Sequence, residues 1–385
     1  MRFPSFLRRF FPATSQSVDG AKQLIKQNEA SLSDKLDTII EEQQRLFARI
    51  EQADNGINGN LNAKTEGWII PFMRDINQLL ESHDARNDLM FWQIYRKEDE
   101  SDIEARRRFF AGIPKATGNL RLMQLGCAQL LREFDSLCHE NGLTYWLAFG
   151  TLLGAVRHGG FIPWDDDMDL GMMRNDIERL EKIVANDSRF KVSVVFDSYV
   201  CCKQVRFMYV DSIIPCFLDL FIFDYASDSS DQLFSRQLAL REKLRREMED
   251  DENLEFWRQE GCINASDDRA PQIGAYFDKT HKLLKEEGVI SSEETDAIIW
   301  GFDNMNLQRY RWICGIDEIL PLSRVIFEGI NCPAPNECQD ILSNTYGDIY
   351  SLPKDIVSHF RHVDLGHFAD EETRKKLEHI IDEAS

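Results

Sequence analysis

The sequence predicts an α+β protein: a mixed sheet flanked by helices, preceded by a helical, coiled-coil arm. Three observations predict it. Apolar residues recur every seven positions near the N-terminus, at Ile25, Leu32, Ile39 and Leu46. Further on they recur at threes and fours (Leu120, Met123, Cys127, Leu130, Phe134, Leu137) and then alternate strictly at Leu143, Tyr145, Leu147 and Phe149. Short apolar runs of strand length follow, and two of them carry aspartates. Helical and extended chains repeat their faces every 3.6 and 2 residues, so the change of period marks a passage from helix to strand.

Residues 1–19 are basic and aromatic, with Arg2, Arg8 and Arg9 interleaved with Phe3, Phe6, Leu7, Phe10 and Phe11. The segment lacks a continuous apolar core and a small-residue cleavage site, so it does not read as a signal peptide. It suits contact with an anionic membrane surface. Residues 20–55 carry the heptad, whose companion positions Glu29, Leu36, Gln43 and Ile50 are half apolar. That pattern predicts a coiled coil and hence a homo-oligomer. Residues 56–118 read as a connector with helical pieces, and residues 119–385 as the main domain.

Within that domain the first helix stops at Asn141-Gly142 and a strand follows. LLGAVRH is a short helix. Met168–Met173 is a second strand, and Asn175 with Glu178 has the spacing of a capping box for the next helix. Phe190–Phe196, Gln204–Val210 and Ile213–Phe223 read as three more strands. Residues 232–260 read as one long solvated helix, Ser291–Trp312 as another, Val325–Ile330 as a strand, and 336–346 as a helix ending at Gly347.

Of the 385 residues, 45 are Lys or Arg and 66 Asp or Glu, a net charge of −21. Such a balance argues against a general polyanion binder, and so against nucleic acid as partner. Nine Cys are too few for a disulfide scaffold and read as reduced thiols of a cytoplasmic protein. No stretch approaches the ~18 uninterrupted apolar residues of a spanning helix.

The chemistry concentrates in YWLAFGTLLGAVRHGGFIPWDDDMDLGMM, Tyr145–Met173. Asp165, Asp166, Asp167 and Asp169 place four carboxylates within five residues. On a strand, Asp167 and Asp169 project to one face while Met168 and Leu170 face the core. Asp219, in the apolar run FLDLF, is a third carboxylate for that face, since an isolated charge there is costly unless paired or metal-bound. Asp167, Asp169 and Asp219 can then share a hard divalent cation, Mg²⁺ or alternatively Mn²⁺. Gly150 and Thr151 lie where strand turns into helix, a place where backbone N–H groups meet phosphate. Arg157 offers a positive fork. His158 and Trp164 flank the acids and can contact substrate. Trp146 and Trp164 can stack on a base or enclose a quaternary ammonium, or be core residues.

GTLLGAVRHGGFIPWDDDMDLGM resembles the signature of the LicD family of phosphotransferases. FLDLFIFD, with Asp219 and Asp224, is similar to the family's second acidic strand, and ILSNTYGDIYSLPKDIVSHF, with His359, to its C-terminal block. The resemblance covers residues 119–360 and departs from the usual pattern at Gly159, where a basic residue is common, and at Ile222, where Pro is. It implies a nucleotidyltransferase-like fold and transfer of phosphocholine from CDP-choline, or of another CDP-activated alcohol phosphate, to a cell-surface glycan precursor such as lipopolysaccharide, capsule or teichoic acid. The expected roles follow. Asp167, Asp169 and Asp219 hold Mg²⁺, and Asp165 or Asp166 orients or deprotonates the acceptor hydroxyl. Gly150, Thr151 and Arg157 position phosphates, and His158, Trp164 and His359 complete the substrate site. The enzyme would work on the inner face of the cytoplasmic membrane. Two other readings fit the same motifs, a nucleotidyltransferase that transfers NMP and a non-catalytic scaffold of a glycan-synthesis complex.

Overall fold

A computed structural model describes residues 70–304, 311–352 and 370–382, together with Lys35, Glu42, Gln43 and Arg45. The N-terminal segment 1–19, the heptad of 20–55 apart from those four helical residues, and His359 lie outside the described residues. The chain divides into two compact units, residues 1–87 and 88–385. Of the first, the description gives mainly the start of helix α1 (Ile70–Tyr95).

The second unit is the mixed α+β body. Helix α2 (Asp102–Ala111) opens on a capping box, in which Ser101 Oγ accepts from the Glu104 N–H and the Glu104 carboxylate accepts from the Ser101 N–H. It belongs to this body: Phe110 is fully buried there. Helix α3 (Gly118–Asn141) buries the predicted stripe, Met123, Cys127, Leu130, Phe134 and Leu137, and stops at Gly142 in the left-handed region. Strand β1 (Tyr145–Leu147), helix α4 (Phe149–His158) and strand β2 (Asp169–Met173) follow in the expected order.

Helix α5 (Arg174–Val184) begins directly where β2 ends. Its N-cap is Met173, with no side-chain cap, so the expected Asn175–Glu178 box does not form. The first helical residue, Arg174, is instead turned toward the sheet. Strands β3 (Phe190–Asp197) and β4 (Cys202–Tyr209) make a hairpin. Strand β5 runs over Phe217–Ala226 rather than from Ile213. Asp211 explains the late start: its Oδ1 accepts from the Ile213 N–H at 3.0 Å and its carbonyl from the Ile214 N–H at 3.2 Å, forming a turn.

The predicted helix 232–260 is two, α6 (Asp231–Asp250) and α7 (Glu255–Glu260), with a 3₁₀ turn at Glu252–Leu254. Asp251 makes the break, since its carboxylate caps the Asn253 N–H. Strand β6 (Cys262–Asn264) adds to β3, and helix α8 (Ala270–Glu286) packs on α6. The helix expected over Ser291–Trp312 is corrected: β7 (Ile290–Ser291) and β8 (Ala297–Trp300) occupy its described part, and β9 (Ile313–Gly315) follows directly after it. Ala297-Ile298-Ile299-Trp300 is buried on both faces, a run that a helix would have to expose in part. A short helix α9 (Ile316–Ile319) leads to the hairpin β10 (Ser323–Phe327) and β11 (Ile330–Ala334). Helices α10 (Cys338–Tyr346) and α11 (Glu371–Asp382) close the described chain.

The sheet runs β1-β2-β5-β4-β3-β6, with β8 also on β5, β7 on β5 and β9 on β8. Only β2 and β5 among these pairs are parallel. Their register sets Asp169 directly beside Asp219. One apolar core lies between the sheet and α3, α4 and α5. A second, built on Leu240, Leu244, Met248, Ile273 and Phe277, lies under α6 and α8. Among the described residues no helix is long and apolar enough to cross a membrane.

Candidate active site

The acids meet where β2 and β5 begin. Asp169 and Asp219 are register partners, so their side chains leave the sheet on one face. The Asp219 N–H donates to the Met168 carbonyl at 2.8 Å, which ties the approach to β2 onto β5. Met168 and Leu170 are fully buried behind the sheet, as the alternation predicts. One carboxylate oxygen from each of Asp167, Asp169 and Asp219 lies within 4.8 Å of the others, and so do oxygens of Asp165, Asp166 and Asp167. Asp167 is common to both groups.

Helix α4 supplies the floor. Its first residue, Phe149, has φ 40°, a left-handed conformation costly for a bulky side chain. Phe221, Trp300 and Trp312 hold its ring, at centroid distances of 4.6, 4.8 and 5.2 Å. The twist aims the next N–H, that of Gly150, at Asp169 Oδ2 over 3.1 Å. A Cβ at Gly150 would sit 3.2 Å from Asp165 Oδ2, closer than side chains normally pack, and 3.4 Å from Asp169 Oδ2, in ordinary contact. Gly150→Ala should therefore displace the Asp165 carboxylate from its place beside Asp169. We expect kcat/KM to fall about 10²-fold, with the melting temperature nearly unchanged. Native activity in that variant would show that the turn does not set the acids.

Thr151 departs from its expected role. Its hydroxyl is buried and accepts the Asp169 N–H at 2.7 Å, so it fixes the acid rather than reaching toward a phosphate. Arg157 and His158 lie at the far end of α4. The Arg157 guanidinium sits 3.7 Å over the Phe110 ring, and its Nε and Nη2 are buried without a hydrogen-bond partner. Burial brings its pKa down to about 10. His158 Nδ1 meets the Phe110 carbonyl at 2.9 Å, its Nε2 is buried without a partner, and its ring lies edge-on to Trp164. Burial, then the neighbouring Arg157, lowers His158 to about 4, so the ring is neutral at pH 7. Trp164 is half-buried. Trp146, at 1% exposure, is a core residue under Gly171 and takes no part in stacking on substrate. Gly159 ends α4 at φ 67°, a conformation in which a basic side chain would be strained. Asp224, on the acidic strand of the resemblance, faces away into a buried ion group with Arg174 and Asp303.

Like charges crowd Asp169. Burial raises the Asp169 carboxyl well above the ordinary range, and the charges of Asp167, Asp219 and Asp165 raise it further; only the Gly150 N–H pulls the other way. Arg206 Nε meets Asp219 Oδ1 at 2.8 Å and gives that acid a counter-charge. An all-carboxylate donor set suits a hard divalent ion such as Mg²⁺ or Mn²⁺. Sequence reasoning missed Arg206, which lies in a predicted strand with no motif around it. Only the antiparallel register Arg206↔Asp219 reveals it. It also missed Gln124, whose buried Nε2 donates to the Asp165 carbonyl at 2.9 Å and which the sequence shows only as a polar residue in an amphipathic helix.

Residues 142–251 match the family described as LicD/FKTN/FKRP, nucleotidyltransferase domain. The lipopolysaccharide cholinephosphotransferase LicD of Haemophilus influenzae is 50% identical over 60 residues, 16% of this chain and 23% of its own length. The human ribitol 5-phosphate transferase FKRP is 52% identical over 61 residues, 15% of this chain and 12% of its own. An uncharacterised protein of Rickettsia prowazekii is 40% identical over 81 residues, 21% of this chain and 30% of its own. The chain thus spans less than a third of the length of each of these relatives.

Proposed function

The chain carries a nucleotidyltransferase domain of the LicD family, and from that premise we propose that it transfers an alcohol phosphate from a CDP-activated donor to a hydroxyl of a glycan. Phosphocholine is the first candidate and ribitol phosphate the second, after the two named relatives. The observation that carries the reading is the carboxylate trio: Asp169 and Asp219 are partners on adjacent parallel strands beside the N-terminus of α4, and Asp167, which the sequence placed on the strand, comes from the loop just before β2.

Asp167, Asp169 and Asp219 would hold Mg²⁺ or Mn²⁺, which neutralises charge on the donor's phosphates and on the departing nucleotide. The chain's own residues do the rest. Thr151 and Gly150 hold Asp169 in place by hydrogen bonds to its backbone and carboxylate. Arg206 fixes Asp219. The acceptor hydroxyl attacks the phosphorus bearing the alcohol, the bond from that phosphorus to CMP breaks, and the hydroxyl proton passes to a carboxylate. Asp165 is the better placed of the two spare acids, because its Oδ2 faces Gly150 beside Asp169. Arg157, whose buried Nε and Nη2 lack partners, supplies positive charge for an anionic group of the substrate. We further propose that the N-terminal segment brings the enzyme to the inner membrane face and that the heptad joins copies of the chain.

The test is a donor panel. Purified protein is given CDP-choline, CDP-ribitol or CDP-glycerol with a crude glycan extract, in Mg²⁺ or in EDTA. CMP release from one donor, lost in EDTA, with the alcohol phosphate recovered on the glycan, is the expected result. Pyrophosphate in place of CMP would mean nucleotidyl transfer. No product from any donor would overturn the reading.

A further inference from the structure

The acid loop is held from outside the sheet. Glu328, at the tip of the β10–β11 hairpin, has φ 48° and a side chain only 5% exposed. Arg121 of α3 grips it with both guanidinium nitrogens, Nη1 to Oε1 at 3.0 Å and Nη2 to Oε2 at 2.7 Å. Lys115 adds a third contact at 2.8 Å. The same carboxylate accepts the Phe161 N–H at 3.3 Å, and the Glu328 N–H donates to the Gly159 carbonyl at 3.0 Å. A Cβ on Gly160 would lie 2.3 Å from Glu328 Oε1, so the loop touches the carboxylate through bare backbone.

The chain of contacts continues inward. Arg121 Nη1 also donates to Gln124 Oε1 at 3.2 Å. Gln124 is 1% exposed, and its Nε2 donates to the Asp165 carbonyl at 2.9 Å and the Ile162 carbonyl at 3.4 Å. The Asp165 N–H closes the loop on the Ile162 carbonyl at 3.0 Å. Residues 159–165 are therefore clamped at both ends, by Glu328 at one and Gln124 at the other, with Arg121 joining the two. The next two residues are Asp166 and Asp167.

We propose that Glu328, Arg121 and Gln124 are positioning residues that set the acid loop, and with it Asp167 for metal binding and Asp165 as the proton acceptor. The metal part of this inference rests on the function proposed above. Residues that orient ligands from behind commonly change metal affinity 10–100-fold when replaced. Gln124→Met keeps the volume and removes both ends of the relay, so it isolates the effect from cavity formation.

Two readouts separate the possibilities. Backbone hydrogen exchange of residues 159–169 should quicken in Gln124→Met and in Glu328→Gln, while that of 190–209 stays at the wild-type level. Mn²⁺ affinity, measured by loss of the free-ion electron paramagnetic resonance signal, should weaken about tenfold or more in both. Lys115→Met, which leaves the Arg121 fork intact, should change it less than about twofold. Unchanged loop exchange together with unchanged Mn²⁺ affinity in folded Gln124→Met overturns the inference. If the wild-type chain takes up no Mn²⁺, the metal reading fails instead, and the exchange rates alone decide whether the clamp exists. A variant that melts early is replaced by Gln124→Asn, which keeps the amide at shorter reach and should fall between wild type and Met.

Discussion

Asp169→Asn is expected to lower turnover about 10³-fold and at the same time to raise the melting temperature of the metal-free protein. The loss follows from neutralising one of the three carboxylates proposed to hold the ion, whose charge neutralisation would be worth several kcal/mol in the transition state. The gain follows from the crowding of Asp165, Asp167 and Asp219 around the same carboxyl. Since burial and these neighbours raise the folded-state pKa, the folded chain keeps a proton that the unfolded chain has lost. Stability of the metal-free wild type should thus fall as pH rises from the ordinary carboxylate value through the folded one, and stay low above it. The Asn variant should lack that dependence. Saturating Mg²⁺ should erase its advantage, because the ion then does for the wild type what the substitution does for the variant. Thermal melts at pH 4 to 8, with Mg²⁺ or EDTA, read all of this. A wild type more stable than the variant in EDTA at pH 7 would show that the cluster is not repulsive.

The second large effect lies at the other end of β2. Arg174 is 13% exposed and bridges Asp224 and Asp303, themselves 7% and 2% exposed, with Nη2 contacts of 2.6 Å to each. Arg174→Met should destabilise the fold by about 3–5 kcal/mol, since it leaves two buried carboxylates without their cation. Burial pushes the Asp303 carboxyl up, but the charge and hydrogen bonds of Arg174 carry it below the ordinary range. A depressed folded pKa gives stability that is present above the unfolded value and lost as pH falls through the folded one. In the variant the sign reverses, because unpaired buried carboxylates hold protons more tightly than unfolded ones. The gap between the two proteins, read from urea midpoints, should narrow as pH drops from 7 toward 4. A constant gap would mean that lost packing, and not charge, carries the cost.

Much of this arrangement was legible in the sequence. The alternation Leu143–Phe149 and the acids of 165–169 placed a strand, a helix and a second strand in order. The pairing of Asp219 with Asp169 followed from the cost of an unpaired charge in FLDLF. What could not be read depends on register and on remote contacts. Arg206 reaches Asp219 because β4 and β5 are antiparallel with those residues opposed. Glu328 reaches Phe161 from 167 positions away. Thr151 has the residue type of a phosphate binder, and only the closeness of the Asp169 N–H turns it into a backbone anchor. Ser291–Trp312 misled because its Ser-x-x-Glu spacing resembles a helix start, whereas Ser291 pairs with Tyr225 in the sheet.

We propose that Asp167, Asp169 and Asp219 together hold a divalent cation. Mn²⁺ titration of the wild-type chain at pH 7, followed by electron paramagnetic resonance and repeated with Asp219→Asn, tests it most directly. Saturable uptake that Mg²⁺ displaces, weakened at least about tenfold in the variant, is the predicted result. A folded wild-type chain that leaves the free Mn²⁺ signal undiminished, or an Asp219→Asn variant that binds as the wild type does, would contradict it.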